Sequence, residues 1–319
     1  MKNKVKDFEI RESTDPEEIL KQMEQLGGFQ GDKVAKAVNT LERMIKDSKS
    51  LNFLSFPASL VATGIRGVFR EMVKRGWFDL VITTCGTLDH DLARSWGDYY
   101  QGSFELDDEE VKKRGYSRLG SVLVPNEVYA ERVEEKVQGF LSEVYREKKE
   151  LATYELIWEF GKRLEAQDSI IYWATRNKIP IIVPGITDGM IGYQLWMFSQ
   201  NKDFKIDILK DEQLLNDKVW EAERSGALII GGGISKHHTI WWNQFRGGLD
   251  YAVYLTSAIE LDGSLSGAAP REAVSWGKIK EDAEKVLVWG EATSLLPLIV
   301  SVLARRIPEH HRPSSCKIT

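Results

Sequence analysis

The sequence predicts an α/β fold, a doubly wound, mainly parallel central sheet of about six strands with an N-terminal helical arm. Two observations carry this. Six short apolar runs have the length of strands buried on both faces: Leu51–Phe56, Leu80–Thr84, Ile179–Val183, Ala227–Ile230, Tyr251–Leu255 and Val286–Trp289. Between most of them lie longer stretches with apolar residues every three or four positions, the helical period. Such alternation, closed by right-handed crossovers, gives an open sheet covered by helices on both sides.

In chain order, residues 1–30 are polar and carry Gly27-Gly28-Phe29-Gln30, so they read as an arm outside the core. Leu60–Arg75 follows the first strand with helical spacing. The segment 97–126, with Tyr99, Tyr100 and Pro125, is a connection long enough to be functional or interfacial. Glu127–Arg146 and Tyr154–Glu165 read as helices charged on one side. Leu209–Ser225, Thr239–Gly247 and Thr293–Arg305 complete the alternation. Residues 31–305 are therefore expected to form a single α/β catalytic domain, and 306–319, with Pro, His, Arg and Ser, a loose tail.

The 319 residues are 42% hydrophobic and carry 43 basic and 48 acidic side chains, a net charge of -5. No basic block suggests nucleic-acid binding, and a mildly acidic protein suits a cationic substrate. The two cysteines, Cys85 and Cys316, make neither a disulfide framework nor a zinc spacing, which fits a reducing cytoplasm. The charged stretch Met1–Glu9 lacks the apolar core of a signal peptide, and no apolar run approaches the length of a membrane span.

The carboxyl ends of the expected strands are where an open α/β sheet binds ligands, and here they are rich in glycine and acid. They read Thr83-Thr84-Cys85-Gly86, Pro184-Gly185-Ile186-Thr187-Asp188-Gly189, Gly231-Gly232-Gly233, Thr256-Ser257-Ala258 and Gly290-Glu291-Ala292. Glycines admit a pyrophosphate close to the backbone, and Glu291 or Asp188 could hold ribose hydroxyls. Glycine-rich strand-to-helix turns are also common without a ligand, but several together point to a nucleotide, in a Rossmann-like sheet that lacks the G-x-G-x-x-G fingerprint.

Lys278 follows Trp276-Gly277 and precedes Ile279. Dry surroundings would favour the neutral amine that imine formation needs, although the position also suits a surface lysine between helix and strand. His237 and His238 follow the triglycine at an expected helix start, where one could be a general base or a capping residue. No third ligand at a familiar spacing makes them a metal site. Asp89-His90-Asp91 could face the same crevice or simply favour a helix N-terminus. Trp196 and Trp241-Trp242 read as core or subunit contacts. Cys85 has no convincing base beside it.

Together these residues resemble the deoxyhypusine synthase family, including its archaeal and bacterial members. The likeness begins at Gly28-Phe29-Gln30 and Gly64-Ile65-Arg66. It runs through Asp79 to Gly86 and through Leu123-Val124-Pro125-Asn126-Glu127. It is densest from Ser225 to Lys278, in Gly231–Gly233 with Lys236-His237-His238, Tyr251-Ala252-Val253-Tyr254 and Glu272-Ala273-Val274-Ser275-Trp276-Gly277-Lys278-Ile279.

The resemblance implies a cytoplasmic, NAD-dependent transferase. It would move an aminobutyl group from spermidine, through an enzyme-lysine imine, to a lysine of the hypusine-bearing translation factor. It assigns the imine to Lys278 and the active-site base to His237, and it places Glu272 and Trp276 around the polyamine. It places Thr84, Gly86, Asp188, Gly232, Gly233, Ser257, Ala258, Asp262, Ser266 and Glu291 at the NAD pocket. It also implies a homotetramer with sites at subunit interfaces. The eukaryotic members carry acids where this chain has His90, Tyr193 and Leu265, and polar residues at Pro57, Ala58 and Ala62. The oxidation and imine machinery is thus expected alongside altered amine recognition. A homospermidine-synthase-like or agmatine-using transferase with the same imine chemistry is the alternative. A catalytically silent NAD-binding subunit is disfavoured by Lys278 and His237.

Overall fold

The computed structural model describes residues 4–307. Its central sheet has six strands, numbered along the chain: β1 Ser50–Ser55, β2 Leu80–Ile82, β3 Ile181–Ile182, β4 Arg224–Ile230, β5 Leu249–Thr256 and β6 Ile279–Trp289. Their spatial order is β3-β2-β1-β4-β5-β6. This is the doubly wound Rossmann order, whose switch point falls between the first and fourth strands. The pairs β1–β4, β4–β5, β5–β6 and β2–β3 are all parallel, with Phe53 opposite Ala227, Ala227 opposite Ala252 and Val253 opposite Val286. All six expected strands are present.

The chain divides into two compact units. The first comprises the described residues up to Ser55, Arg75–Leu80 and the described residues from Asn216 onward; the second comprises Phe56–Lys74 and Val81–Leu215. In the first unit, β1 and β4 are almost wholly buried. Helix Gly31–Lys46 lays Val34, Val38, Leu41 and Ile45 on one buried stripe, the three- and four-residue period of an amphipathic helix. Gly226 has no side chain because a Cβ there would come within 2.5 Å of the Met44 thioether. The N-terminal arm carries helix Pro16–Met23, N-capped by Asp15 and anchored by the fully buried Leu20. The tail expected at 306–319 lies, beyond Ile307, outside the described residues.

Several boundaries differ from the sequence reading. β6 begins at Ile279 rather than Val286, because its first half is polar and half-exposed and carries no apolar signal. Leu60–Arg75 is a 3-10 turn, Ala58–Ala62, followed by helix Arg66–Lys74. The break falls where Thr63 Oγ1 donates to the Leu60 carbonyl and accepts the Ile65 N–H. The helix expected at Glu127 starts as a π-helical segment, Glu127–Arg132, before Val133–Glu147. The 97–126 connection contains the strands Tyr100–Gln101, Tyr116–Leu119 and Val122–Pro125, which make a small antiparallel sheet, and helix Asp108–Lys113. Among the described residues, no helix is long and apolar enough to cross a membrane.

Candidate active site

Lys278 sits at the joint between a six-residue helix and β6. Pro270 opens helix Pro270–Ser275, where a missing N–H costs nothing, and Gly277, at φ +68°, closes it. The Gly277 N–H donates to the Val274 carbonyl and the Lys278 N–H to the Ala273 carbonyl, both at 2.9 Å, which together form a Schellman motif. The Lys278 carbonyl accepts from the Leu249 N–H at 3.1 Å. Three backbone bonds therefore fix the lysine, and its side chain is only 8% exposed.

Helix Gly233–Gln244 supplies the opposite wall. It begins at the triglycine, earlier than the expected Thr239, so His237 and His238 lie in its second turn rather than at its start. Residues 236, 237, 240 and 241 share a face by helical periodicity. With Tyr254 of β5, with Leu265, Ala268 and Ala269, and with Glu272, Ala273, Trp276 and Lys278, they line a pocket of about 310 Å³. This is within the usual range for a small-molecule site. Five of the residues singled out by sequence, Lys278, His237, Glu272, Trp276 and Leu265, are therefore brought together.

The Lys278 ammonium lies 5.3 Å from the centre of the Trp276 ring and 5.8 Å from that of Trp241. Both distances are within cation–π range. His237 stacks on Trp241, with ring centres 5.8 Å apart. Trp241 thus lines the pocket and is 41% exposed, so of its two expected places, core and subunit contact, it is not in the core. The signal was its i, i+4 spacing from His237. Burial, then the charge of Lys278 and of His238, holds the His237 imidazole below the usual histidine range. It is therefore neutral, and able to accept a proton, at neutral pH.

Two further pocket residues went unassigned by sequence reasoning. Lys236 is fully buried, and burial, partly offset by Glu272, pushes its amine down to about 8. Tyr254 is buried, with no hydrogen-bond partner for its hydroxyl among the described residues, and burial, then Glu272, raises its phenol. Both were hidden because a buried lysine or tyrosine reads as an ordinary polar interruption of an apolar pattern.

The glycine turn after β4 has the form of an anion cradle. Gly231 and Gly233 are left-handed, at φ +67° and +68°. The N-cap residue, Gly232, gives the helix no side-chain cap, and a Cβ on Gly233 would meet nothing within 4 Å. Gly232 packs against Ser266, where a Cβ would fall 2.3 Å from the hydroxyl oxygen. Ser257 is exposed beyond β5, with Ala258 half-buried beside it. Asp262 accepts the Ser264 N–H at 2.7 Å. Glu291 is the N-cap of helix Ala292–Arg306, its carboxylate taking the N–H and hydroxyl of both Thr293 and Ser294. Burial opposes its ionisation, but these bonds prevail and hold it low.

The remaining candidates lie in the second unit. Thr84, the N-cap of helix Cys85–Trp96, accepts the Ala58 N–H at 3.2 Å, and a Cβ on Gly86 would meet Ala58 at 2.9 Å. Asp188 is exposed in the turn before helix Met190–Ser199. Tyr193 is half-exposed against Trp196. His90 sits in mid-helix with its Nδ1 3.0 Å from the Tyr99 hydroxyl. Burial, then the charge of Arg94, pushes it down to about 4.

Its acidic neighbours work as caps for other helices. Asp89 accepts the N–H groups of Met190 and Ile191 at 2.9 and 2.8 Å. Asp91 accepts those of Ile170 and Ile171 at 3.1 and 2.9 Å, the Ser169 hydroxyl at 2.7 Å and the Arg66 guanidinium at 2.6 Å. The Asp-His-Asp run therefore lies inside helix Cys85–Trp96 and not at its N-terminus. Burial, then the charge of Asp89, raises the Cys85 thiol far above its usual range, so it is inert as a nucleophile.

The family model for deoxyhypusine synthase matches residues 18–303. A Picrophilus torridus protein named "Probable deoxyhypusine synthase" is 51% identical over 302 residues, which cover 94% of this chain and 97% of that one. A Thermoplasma acidophilum protein of the same name is 50% identical over 298 residues, 93% of this chain and 96% of that one. A crystal structure from Entamoeba histolytica, provisionally named deoxyhypusine synthase, superposes with a TM-score of 0.68 at 22% identity over 98% of this chain and all of that one, which speaks to the fold. With near-complete coverage at about half identity, this chain belongs to the deoxyhypusine synthase family of transferases.

Proposed function

We propose that this protein transfers the aminobutyl group of spermidine, through an imine on Lys278, to a lysine of the hypusine-bearing translation factor, in an NAD-dependent reaction. The observation that carries this reading is the pocket itself, which holds a rigidly mounted, nearly buried lysine, a neutral histidine, one carboxylate and two indole faces. The Gly231–Gly233 turn, with its uncapped helix N-terminus and the open space over Gly233, suits the pyrophosphate of a dinucleotide. Bound NAD would supply the acceptor for the substrate hydride and later return it.

The chain's own residues do the rest. Glu272, with the faces of Trp276 and Trp241, would hold the cationic amine. Lys278 would capture the four-carbon fragment as an enzyme imine, with the bond to the secondary nitrogen broken and the three-carbon diamine released as the leaving amine, and the neutral His237 would accept the proton released by the attacking amine. Family membership further supports assembly as a homotetramer in the cytoplasm, with sites completed at subunit interfaces.

Incubation with NAD and spermidine, followed by borohydride trapping and peptide mass spectrometry, should label Lys278. Lys278→Arg should lose transfer by on the order of 1,000-fold or more, because arginine keeps the charge but cannot form the imine, and should still bind NAD. Label on another lysine, or transfer surviving in Lys278→Arg, overturns the assignment.

One observation favours a second reading of the donor. Leu265 presents apolar surface to the pocket, and Glu272 is its only carboxylate among the described lining residues. An amine less strongly charged at one end, such as agmatine, or a small-amine acceptor as in homospermidine synthesis, keeps the same imine chemistry. Adding an amine panel and the acceptor factor to the same assay separates these.

A further inference from the structure

Lys236 is a lysine in the reaction pocket that takes no part in the chemistry above, and its side chain is more deeply buried than that of Lys278, at 1% against 8% exposure. Its ammonium donates to two backbone carbonyls of one loop, Leu265 at 2.7 Å and Ala268 at 2.8 Å. It also lies 4.3 Å from the centre of the Tyr254 ring. An amine so engaged is neither free nor oriented to attack a carbonyl carbon.

The loop it holds serves two neighbours at once. Leu265, Ala268 and Ala269 are pocket wall, while Ser266 is packed on Gly232 of the triglycine turn. The loop is tightly folded, since a Cβ on Gly267 would fall 2.0 Å from the Ile259 carbonyl oxygen. Polar clamps of this kind are strong in a dry interior, and removing one leaves both carbonyls without their donor.

Resting on the proposed transferase reading, we propose that Lys236 is a positioning residue, whose ammonium clamps the 259–269 loop so that one backbone segment sets both the amine pocket and the dinucleotide turn. Loosening the clamp should weaken both ligands together while leaving the reactivity of Lys278 in place.

The test is hydrogen–deuterium exchange of peptides covering 259–269 in wild type and Lys236→Met, combined with NAD affinity and the kcat and KM for the amine. Losing two charge-assisted bonds should raise loop exchange on the order of 10-fold or more, with β4 and β5 unchanged. NAD affinity and amine KM should each worsen by roughly 10-fold, and kcat at saturation should change little, with borohydride label still on Lys278. Unchanged loop exchange, or a collapse of kcat at normal affinity, overturns the proposal. If Lys236→Met does not fold, the wild type carries the test. Raising pH through about 8 removes the Lys236 charge, so loop exchange corrected for intrinsic rates should climb over that range. Loop amides that exchange at intrinsic rates below that range overturn the clamp. Loop exchange reads the clamp even if no amine is ever trapped on Lys278, so failure of the clamp and failure of the transferase reading are distinguishable.

Discussion

Asp91 in the second unit and Glu272 in the first are both carboxylates with a cation and aromatic or apolar side chains nearby, yet their partners differ. Asp91 accepts four hydrogen bonds, from Arg66, Ser169 and the N–H groups of Ile170 and Ile171, and is entirely buried. Glu272 is exposed, and among the described residues its carboxylate takes no side-chain hydrogen bond or ion pair; its neighbour Lys278 meets only indole faces. A polar group whose capacity is filled from within holds the fold. One whose capacity is left over, on a rigid frame, is available to a substrate. The other acids of interest have partners of their own: Asp89 and Asp91 cap helices, and Glu260 pairs with Arg271 at 2.6 Å.

The largest effect should come from emptying the filled site. Asp91→Ala leaves the Arg66 guanidinium buried, with the half-exposed Asp168 as its remaining carboxylate beside Ser95 and the residue-91 carbonyl, and takes the acceptor from the Ile170 and Ile171 N–H groups of helix Ile170–Arg176. Breaking a buried ion pair from one side costs about 3–5 kcal/mol. Urea unfolding should show that loss with little change in slope. A loss under about 1 kcal/mol would mean that the network is dispensable and the contrast with the pocket is wrong.

A smaller effect is expected from adding a carboxylate to the unfilled site. Leu265→Asp places a second acid in the pocket without touching Lys278 or His237. It should raise kcat/KM for spermidine relative to agmatine by about 10-fold, the value of one further charge-assisted contact. If the wild type already prefers spermidine strongly and the variant does not improve it, the pocket needs no second carboxylate and the proposed donor shift fails.

What could be read from sequence followed the strength of each physical signal. β1 and β4 stood out because they are buried on both faces, and the glycines after β4 because glycine enters φ near +67° without strain. The first half of β6 did not, since an edge strand with Lys280, Glu281 and Asp282 has no apolar period. In the pocket, Lys278, His237, Glu272 and Trp276 were found through the family resemblance more than from pattern. Lys236 escaped because its role is a tertiary bond to backbone carbonyls 29 and 32 residues away, which no local spacing encodes. The capping roles of Asp89 and Asp91 escaped for the same reason: the helices they cap lie about 100 and 80 residues downstream.

The finest test compares the two histidines by pH. His90 faces Tyr99, Tyr129 and Arg94, and burial with the Arg94 charge pushes it down to about 4, below the ordinary value of 6.5. A group depressed on folding contributes stability that is present above its unfolded pKa and is lost as pH falls through the folded one. Here that window runs from 6.5 down to about 4. His90→Gln cannot take up that proton, so its stability should fall less than that of the wild type between those pH values, by about 1 kcal/mol at pH 5 after allowance for solvent and local relaxation. His237 is only partly desolvated, and its shift comes from the pocket it shares with Lys278. His237→Gln should therefore leave the stability profile nearly unchanged while removing the acid limb of the transfer rate, which in the wild type should lie below the usual histidine range. If His237→Gln instead reproduces the stability profile of His90→Gln and the acid limb persists, the pocket histidine is structural and the contrast between the two regions collapses.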